Sequence, residues 1–152
     1  MAATESSGKC PTFTTQPNLD QAQYIGKWYE HSKDKMNQFE WDGECGTAQY
    51  KTNAKTGFID VRNRGWFWYF FFSYVPVSGG ARCETSGKCY VNLNPFDSNP
   101  DLTKPVGNYN VLSTDYDTYS IVYSCSEPWY GGKSENVWIL TRTAKITDLK
   151  SN

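Results

Sequence analysis

Histidine is nearly missing from this chain, since His31 is the only one in 152 residues. A single imidazole leaves no room for a Ser-His-Asp relay beside a histidine metal site, and no Cys-x-x-Cys pair exists to make a thiolate one. No Gly-rich phosphate loop is found, and no carboxylate pair stands in a catalytic context, so no enzyme activity is expected. Charge of one sign is lacking too. The formal net charge is −1, so no strong overall field draws in nucleic acid or an anionic membrane. No apolar run approaches the ~20 residues of a membrane span. Repeats, linkers and charge blocks are absent. The N-terminus carries no signal-peptide pattern, and Met1–Lys9 reads as a mature start with an added Met.

Aromatics and cysteines are plentiful. Phe, Trp and Tyr make up 16% of the residues, and there are five cysteines. That many cysteines in a chain of this size point to an oxidising compartment, and hence to a secreted protein. The length suits one domain with a full core.

Strand signals recur at short intervals with turn chemistry between them. They fall at Ile25–Lys33, Glu44–Lys51, Gly57–Asn63, Trp66–Val75, Lys88–Asn94, Asn108–Ser113, Thr118–Cys125 and Asn136–Arg142. Eight antiparallel strands can close into an up-and-down barrel that holds one small ligand and leaves no edge. Turns are expected at Asn53–Gly57, Ser78-Gly79-Gly80, Ser86-Gly87 and Asp115-Tyr116-Asp117. Phe96–Pro105 reads as a loop. Asn18–Tyr24, a capping residue followed by Asp20, Gln21, Ala22 and Gln23, predicts one helical turn. The predicted layout is a single domain, 1–152. An N-terminal arm spans 1–17, the barrel 18–142 and a tail 143–152 in which a C-terminal helix is short or missing.

Three blocks in order carry a resemblance. Gly26-Lys27-Trp28 opens the first strand, Thr114-Asp115-Tyr116 joins two late strands, and Arg142 ends the last one. This pattern resembles the lipocalin family, and within it the group of bilin-binding proteins, apolipoprotein D and crustacyanins. The resemblance runs from Gly8 to Arg142. It implies structural roles for Gly26, Trp28, Thr114, Asp115, Tyr116 and Arg142. Trp28 plugs the closed end, Arg142 stacks on its indole, and Asp115 caps backbone N–H groups. It also implies a disulfide between Cys10 and Cys125. The family's second bridge would join Cys45 to a C-terminal cysteine that this sequence lacks. Cys83 and Cys89 bracket a short hairpin, and a bridge between them is the first expectation, leaving Cys45 single. Two alternatives are Cys45 paired with Cys83 or Cys89, and a Cys45 partner lost from a longer natural chain.

Strand alternation, phased on those motifs, predicts the interior. The expected ligand-binding residues are Ala48, Tyr50, Val61, Asn63, Trp68, Phe70, Phe72 and Tyr74. To these are added Val91, Leu93, Tyr109, Val111, Val122 and Trp138, with Phe39 closing the mouth. Glu30, Ser32, Cys89, Ser120, Asn136 and Leu140 share the inward parity. The plainer reading of any one aromatic is core filling. The set resembles a small-molecule pocket, apolar with a few polar groups. The resemblance implies an extracellular carrier of a small hydrophobic molecule, and the aromatic excess favours a biliverdin-type tetrapyrrole. A carotenoid, fatty acid or steroid is the alternative, as is a mainly oligomerising pigment subunit. No metal, nucleic acid or membrane insertion is expected. Phe67, Tyr69, Phe71, Trp129 and Tyr130 are expected to face outward and to mark a homo-oligomer interface. His31 is expected to be solvated.

Overall fold

The computed structural model describes residues 4–6, 8–33, 46–67, 73–93 and 100–144. Among them are strands β1 (Thr4–Ser6), β2 (Gly26–Lys33), β3 (Thr47–Thr52), β4 (Ile59–Phe67) and β5 (Ser73–Cys83). The chain continues through β6 (Lys88–Asn92), β7 (Tyr109–Thr114), β8 (Tyr119–Ser126) and β9 (Lys133–Thr141), with one helical turn, α1 (Gln21–Tyr24), before β2. Each strand from β2 to β8 pairs antiparallel with the next, and β9 pairs with both β8 and β2. Strands β2–β9 thus form a closed eight-stranded up-and-down barrel. Closure gives their backbone groups partners on both sides and removes the edges so aromatic a chain must not expose.

Two predicted features are corrected. The predicted strand Trp66–Val75 is the end of a hairpin instead. β4 runs on to Phe67 and β5 begins at Ser73, with Trp66 opposite Tyr74 and Phe67 opposite Ser73. An unbroken aromatic run has strong strand propensity and no Gly or Pro to mark a reversal, so its turn cannot be read locally. Conversely, Ser78-Gly79-Gly80 is not a turn but part of β5. Gly79 is needed there for close approach, because a Cβ would lie 1.9 Å from the Asn92 carbonyl oxygen of β6. The N-terminal arm adds one more strand: β1 pairs with β9 at Glu135, Ser134 and Lys133, beyond the point where β2 leaves that strand.

The helical turn before β2 is capped by Asp20, whose carboxylate accepts from the backbone N–H groups of Ala22 and Gln23. Asn18 instead takes a left-handed φ of 53°. The arm then wraps the barrel. Cys10 is bridged to Cys125 with Cα atoms 5.9 Å apart, and Phe13 meets Tyr123 edge-on at 4.9 Å. Gln16 and Leu19 donate their backbone N–H groups to Val111 and Thr85. A crosslink closing so long a loop contributes roughly 4–5 kcal/mol in the chain-entropy account. Cys83 and Cys89 face each other across β5–β6 and are bridged as well. Cys45 and the tail from residue 145 lie outside the described residues.

The core is the barrel's lower interior. Trp28, Val111, Val122, Cys89 and Ser120 are fully enclosed, and Tyr24, Val61, Ala81 and Leu140 nearly so.

Candidate functional site: the closed end and the barrel interior

The closed end is built around Trp28. Its indole N–H donates to the Tyr24 carbonyl at 2.9 Å, and the Arg142 guanidinium lies 3.7 Å above its ring. The same guanidinium donates to the carbonyls of Tyr116, Lys27, Gln23 and Ile25 at 2.8–3.1 Å. A planar fork of donors suits this task, and an ammonium could not reach all four. Burial lowers the Arg142 pKa, opposed by Tyr24 and the carboxylates of Asp117 and Asp115. Gly26 has φ 108°, and a Cβ there would come within 3.0 Å of an Arg142 nitrogen. Glycine is therefore required twice over, for its backbone angle and for the space.

The β7–β8 turn locks onto this plug. Thr114 Oγ1 donates to the Tyr119 carbonyl and accepts from Tyr116 N–H. Asp115 accepts from the N–H groups of Thr118 and Tyr119, and from the Thr118 hydroxyl. Partial burial would raise the Asp115 pKa, but these hydrogen bonds hold it below 3.8. Tyr116, at φ 68°, accepts from Asp20 N–H through its hydroxyl.

Above the plug the interior turns polar in one place. Four hydroxyls form a row: Ser120 to Tyr24 at 2.9 Å, Tyr24 to Tyr109 at 3.2 Å, and Tyr109 to Tyr50 at 3.0 Å. Tyr24 also stacks on Tyr50 at 5.9 Å, and Tyr109 on Trp138 at 6.3 Å. Burial raises all three phenols above their ordinary pKa. They are therefore neutral donors at neutral pH. Four hydroxyls carry four protons but share three links, so one proton is left over for a further acceptor. One pleat up from Tyr50 on the neighbouring strand, the Asn63 side-chain oxygen is buried without a hydrogen-bond partner among the described residues. A buried acceptor left unpaired costs about 1–3 kcal/mol.

The predicted lining residues fall as follows. Ala48, Tyr50, Val61, Val111 and Val122 are buried in the core cluster, with Val91, Leu93, Tyr109 and Trp138 packed against it. Tyr74 lies on β5 opposite Trp66, and the side chains of Phe67 and Tyr74 are outside those described. Phe39, Trp68, Phe70 and Phe72 lie outside the described residues, as do Tyr69 and Phe71. Ser32 is corrected. A bulge after Glu30 pairs it with the half-exposed Ile139 and leaves it outside. His31 is exposed, as are Trp129 and Tyr130 in the β8–β9 turn.

The profile of the lipocalin-like domain matches residues 19–152. The chain belongs to the lipocalin family. This lipocalin is 32% identical over 162 residues to the Lazarillo protein of Schistocerca americana, covering 97% of this chain and 66% of that one. It is 32% identical over 145 residues to the bilin-binding protein of Pieris brassicae, covering 92% and 69%. It therefore spans about two-thirds of the length of these curated relatives. Insecticyanin of the tobacco hornworm Manduca sexta superposes with a TM-score of 0.70 at 22% identity, over 95% of this lipocalin and 75% of that chain. That likeness establishes the shared fold.

Tyr24 is the site residue that sequence reasoning missed in this lipocalin. It counts locally as the end of a helical turn, and nothing in its neighbourhood marks it for the interior. Its position two residues before Gly26 is the only hint, since the chain must there enter the barrel floor. Among the described residues no cluster of three metal-ligating side chains occurs.

Proposed function

We propose that this lipocalin is a secreted carrier of a small hydrophobic molecule, and that a bilin of the biliverdin type is its first candidate cargo. The observation that carries this reading is the paired polar demand inside an otherwise apolar wall. The hydroxyl row that ends at Tyr50 carries one proton more than its links use, and Asn63 presents an amide oxygen without a partner among the described residues. A cargo with a carbonyl and an N–H, set in a flat conjugated frame, answers both groups. Its face would lie against Trp138. The bilin-binding protein, by its name, binds a bilin, which supports the same choice. Burying some 400 Å² of apolar cargo surface yields on the order of 10 kcal/mol gross at ~25 cal/mol per Å². Ordering costs bring that to micromolar or tighter binding.

A carotenoid, steroid or fatty acid satisfies the apolar wall and the spare proton but offers no N–H to Asn63. The oxidising compartment that two disulfides require supports secretion. Trp129 and Tyr130, exposed beside the mouth, support assembly into at least a dimer. The test is a visible absorption titration of the protein with biliverdin, with carotenoid and fatty-acid controls. A saturable, red-shifted band that is weakened in Trp138→Ala and Tyr109→Phe is expected. Displacement of a fluorescent fatty acid without such a band would make the protein a lipid carrier instead.

A further inference from the structure

Side chains on the outer face of β2–β5 border a hollow of about 520 Å³, open to solvent, on the side of the sheet away from the barrel interior. Four cations line it. Lys27 and Arg62 lie in one cross-strand row with Gln49 and Ser78, Arg64 lies one pleat nearer the mouth beside Thr47, and Lys51 one pleat nearer the closed end. Among the described lining residues the only carboxylate belongs to Asp60, which accepts from the Asn53 amide at 3.0 Å. No ion pair joins the four cations to a carboxylate among the described residues. Three other cations are engaged: Lys133 with Glu135, Arg82 with Glu84, and Arg142 with its four carbonyls. In a chain of net charge −1, four cations thus gather in one hollow beside a single described carboxylate.

We propose that this hollow binds a sulfated polysaccharide. The cations occupy three successive pleats of β3–β4, a run of roughly 14 Å at ~3.4 Å per residue. Charges spread over that length match a chain of anionic groups better than one phosphate. Between them Thr47, Gln49 and Ser78 supply neutral hydrogen-bonding groups for sugar hydroxyls. Among the described lining residues there is no aromatic ring to stack a base, which disfavours single-stranded nucleic acid. Its curvature and lack of projecting apolar side chains disfavour a flat lipid surface. An oxidising, extracellular setting is where sulfated chains are met. Lys27 is held over the Tyr29 ring at 4.5 Å, which keeps its ammonium on this face.

The test measures binding of a heparin oligosaccharide to the full chain over a series of NaCl concentrations. Three proteins are compared: wild type, Arg62→Ala/Arg64→Ala, and Lys88→Ala/Lys104→Ala. The last removes the same charge from exposed sites outside the hollow. The groove variant is expected to lose on the order of tenfold in affinity near physiological salt, and its salt slope should fall by about two. The control should change less than twofold. Equal losses in both variants would reduce the effect to net charge and overturn the proposal. So would no measurable heparin binding by wild type, or tighter binding of single-stranded DNA of equal charge. Melting temperature and cargo titration, read on the same variants, should be unchanged. Failure of biliverdin binding with heparin binding intact would remove the cargo reading alone.

Discussion

The closed end and the barrel interior are both rich in polar groups next to aromatic rings, yet they differ in one respect. At the closed end the polar groups have found partners. Arg142 serves four carbonyls, Trp28 one more, and Asp115 caps its own turn. In the interior the row Ser120–Tyr24–Tyr109–Tyr50 leaves one proton unspent, and Asn63 leaves an oxygen unpaired. A satisfied network holds a fold together, whereas an unsatisfied one in an enclosed wall is a demand on whatever enters. On the proposed reading, the difference separates residues for stability from residues for cargo, although the same residue types serve both.

Substitutions should break that comparison cleanly. The largest effect is expected from Arg142→Ala, which removes the stacked cation and orphans carbonyls. Urea unfolding should show a loss of about 3–4 kcal/mol, with cargo affinity unchanged in the fraction that remains folded. Arg142→Lys should recover less than half of it, because an ammonium cannot fork. Tyr109→Phe sits between the two regions. It breaks both links of the central hydroxyl, so about 1–2 kcal/mol of stability should go, together with a clear weakening in a cargo titration. Asn63→Leu should invert the pattern. Stability should stay within about 1 kcal/mol of wild type, since an unsatisfied acceptor is traded for an apolar group. Affinity for an N–H-bearing cargo should fall, while a fatty acid should bind as before.

Titration gives the smaller effects. The phenols of Tyr24, Tyr50 and Tyr109 have folded pKa values raised above 10.0 by burial. Their neutral forms therefore favour the folded state fully below pH 10, and that contribution is lost as the pH rises further. In an alkaline titration followed by phenolate absorbance, these three should ionise together with unfolding and not before it. Asp115 works in the opposite direction. Its folded pKa lies below 3.8, so its contribution is present above that value and fades as the pH falls through the lowered one. Asp115→Asn should flatten the acid limb of a stability-versus-pH curve slightly and leave the alkaline limb alone.

Legibility followed the range of the interactions concerned. Gly26, Trp28 and Arg142 could be picked out because their roles impose residue types that survive in the sequence as a spaced pattern. The inward phase of Ala48, Tyr50, Val61 and Asn63 was legible because β3 and β4 are regular across that stretch. The phase failed at Ser32, where a bulge adds one residue to β2. That irregularity is an answer to a neighbouring strand, so no local signal announces it.

By itself the sequence determined the number of barrel strands, the residues of the plug, and the abundance of aromatic and sulfhydryl groups. The strand number follows from alternation and turn chemistry, which act between residues near in the chain, and the plug residues from a spaced motif that resembles the lipocalin pattern. The tertiary structure alone decided that Tyr24 joins Ser120, Tyr109 and Tyr50, that Asn63 keeps an unpaired oxygen, and that four cations share one hollow on the outer wall. Those relations connect strands far apart in sequence. They exist only once closure and register have set which side chains meet, and hydrogen bonds and unscreened charge act only over such short distances.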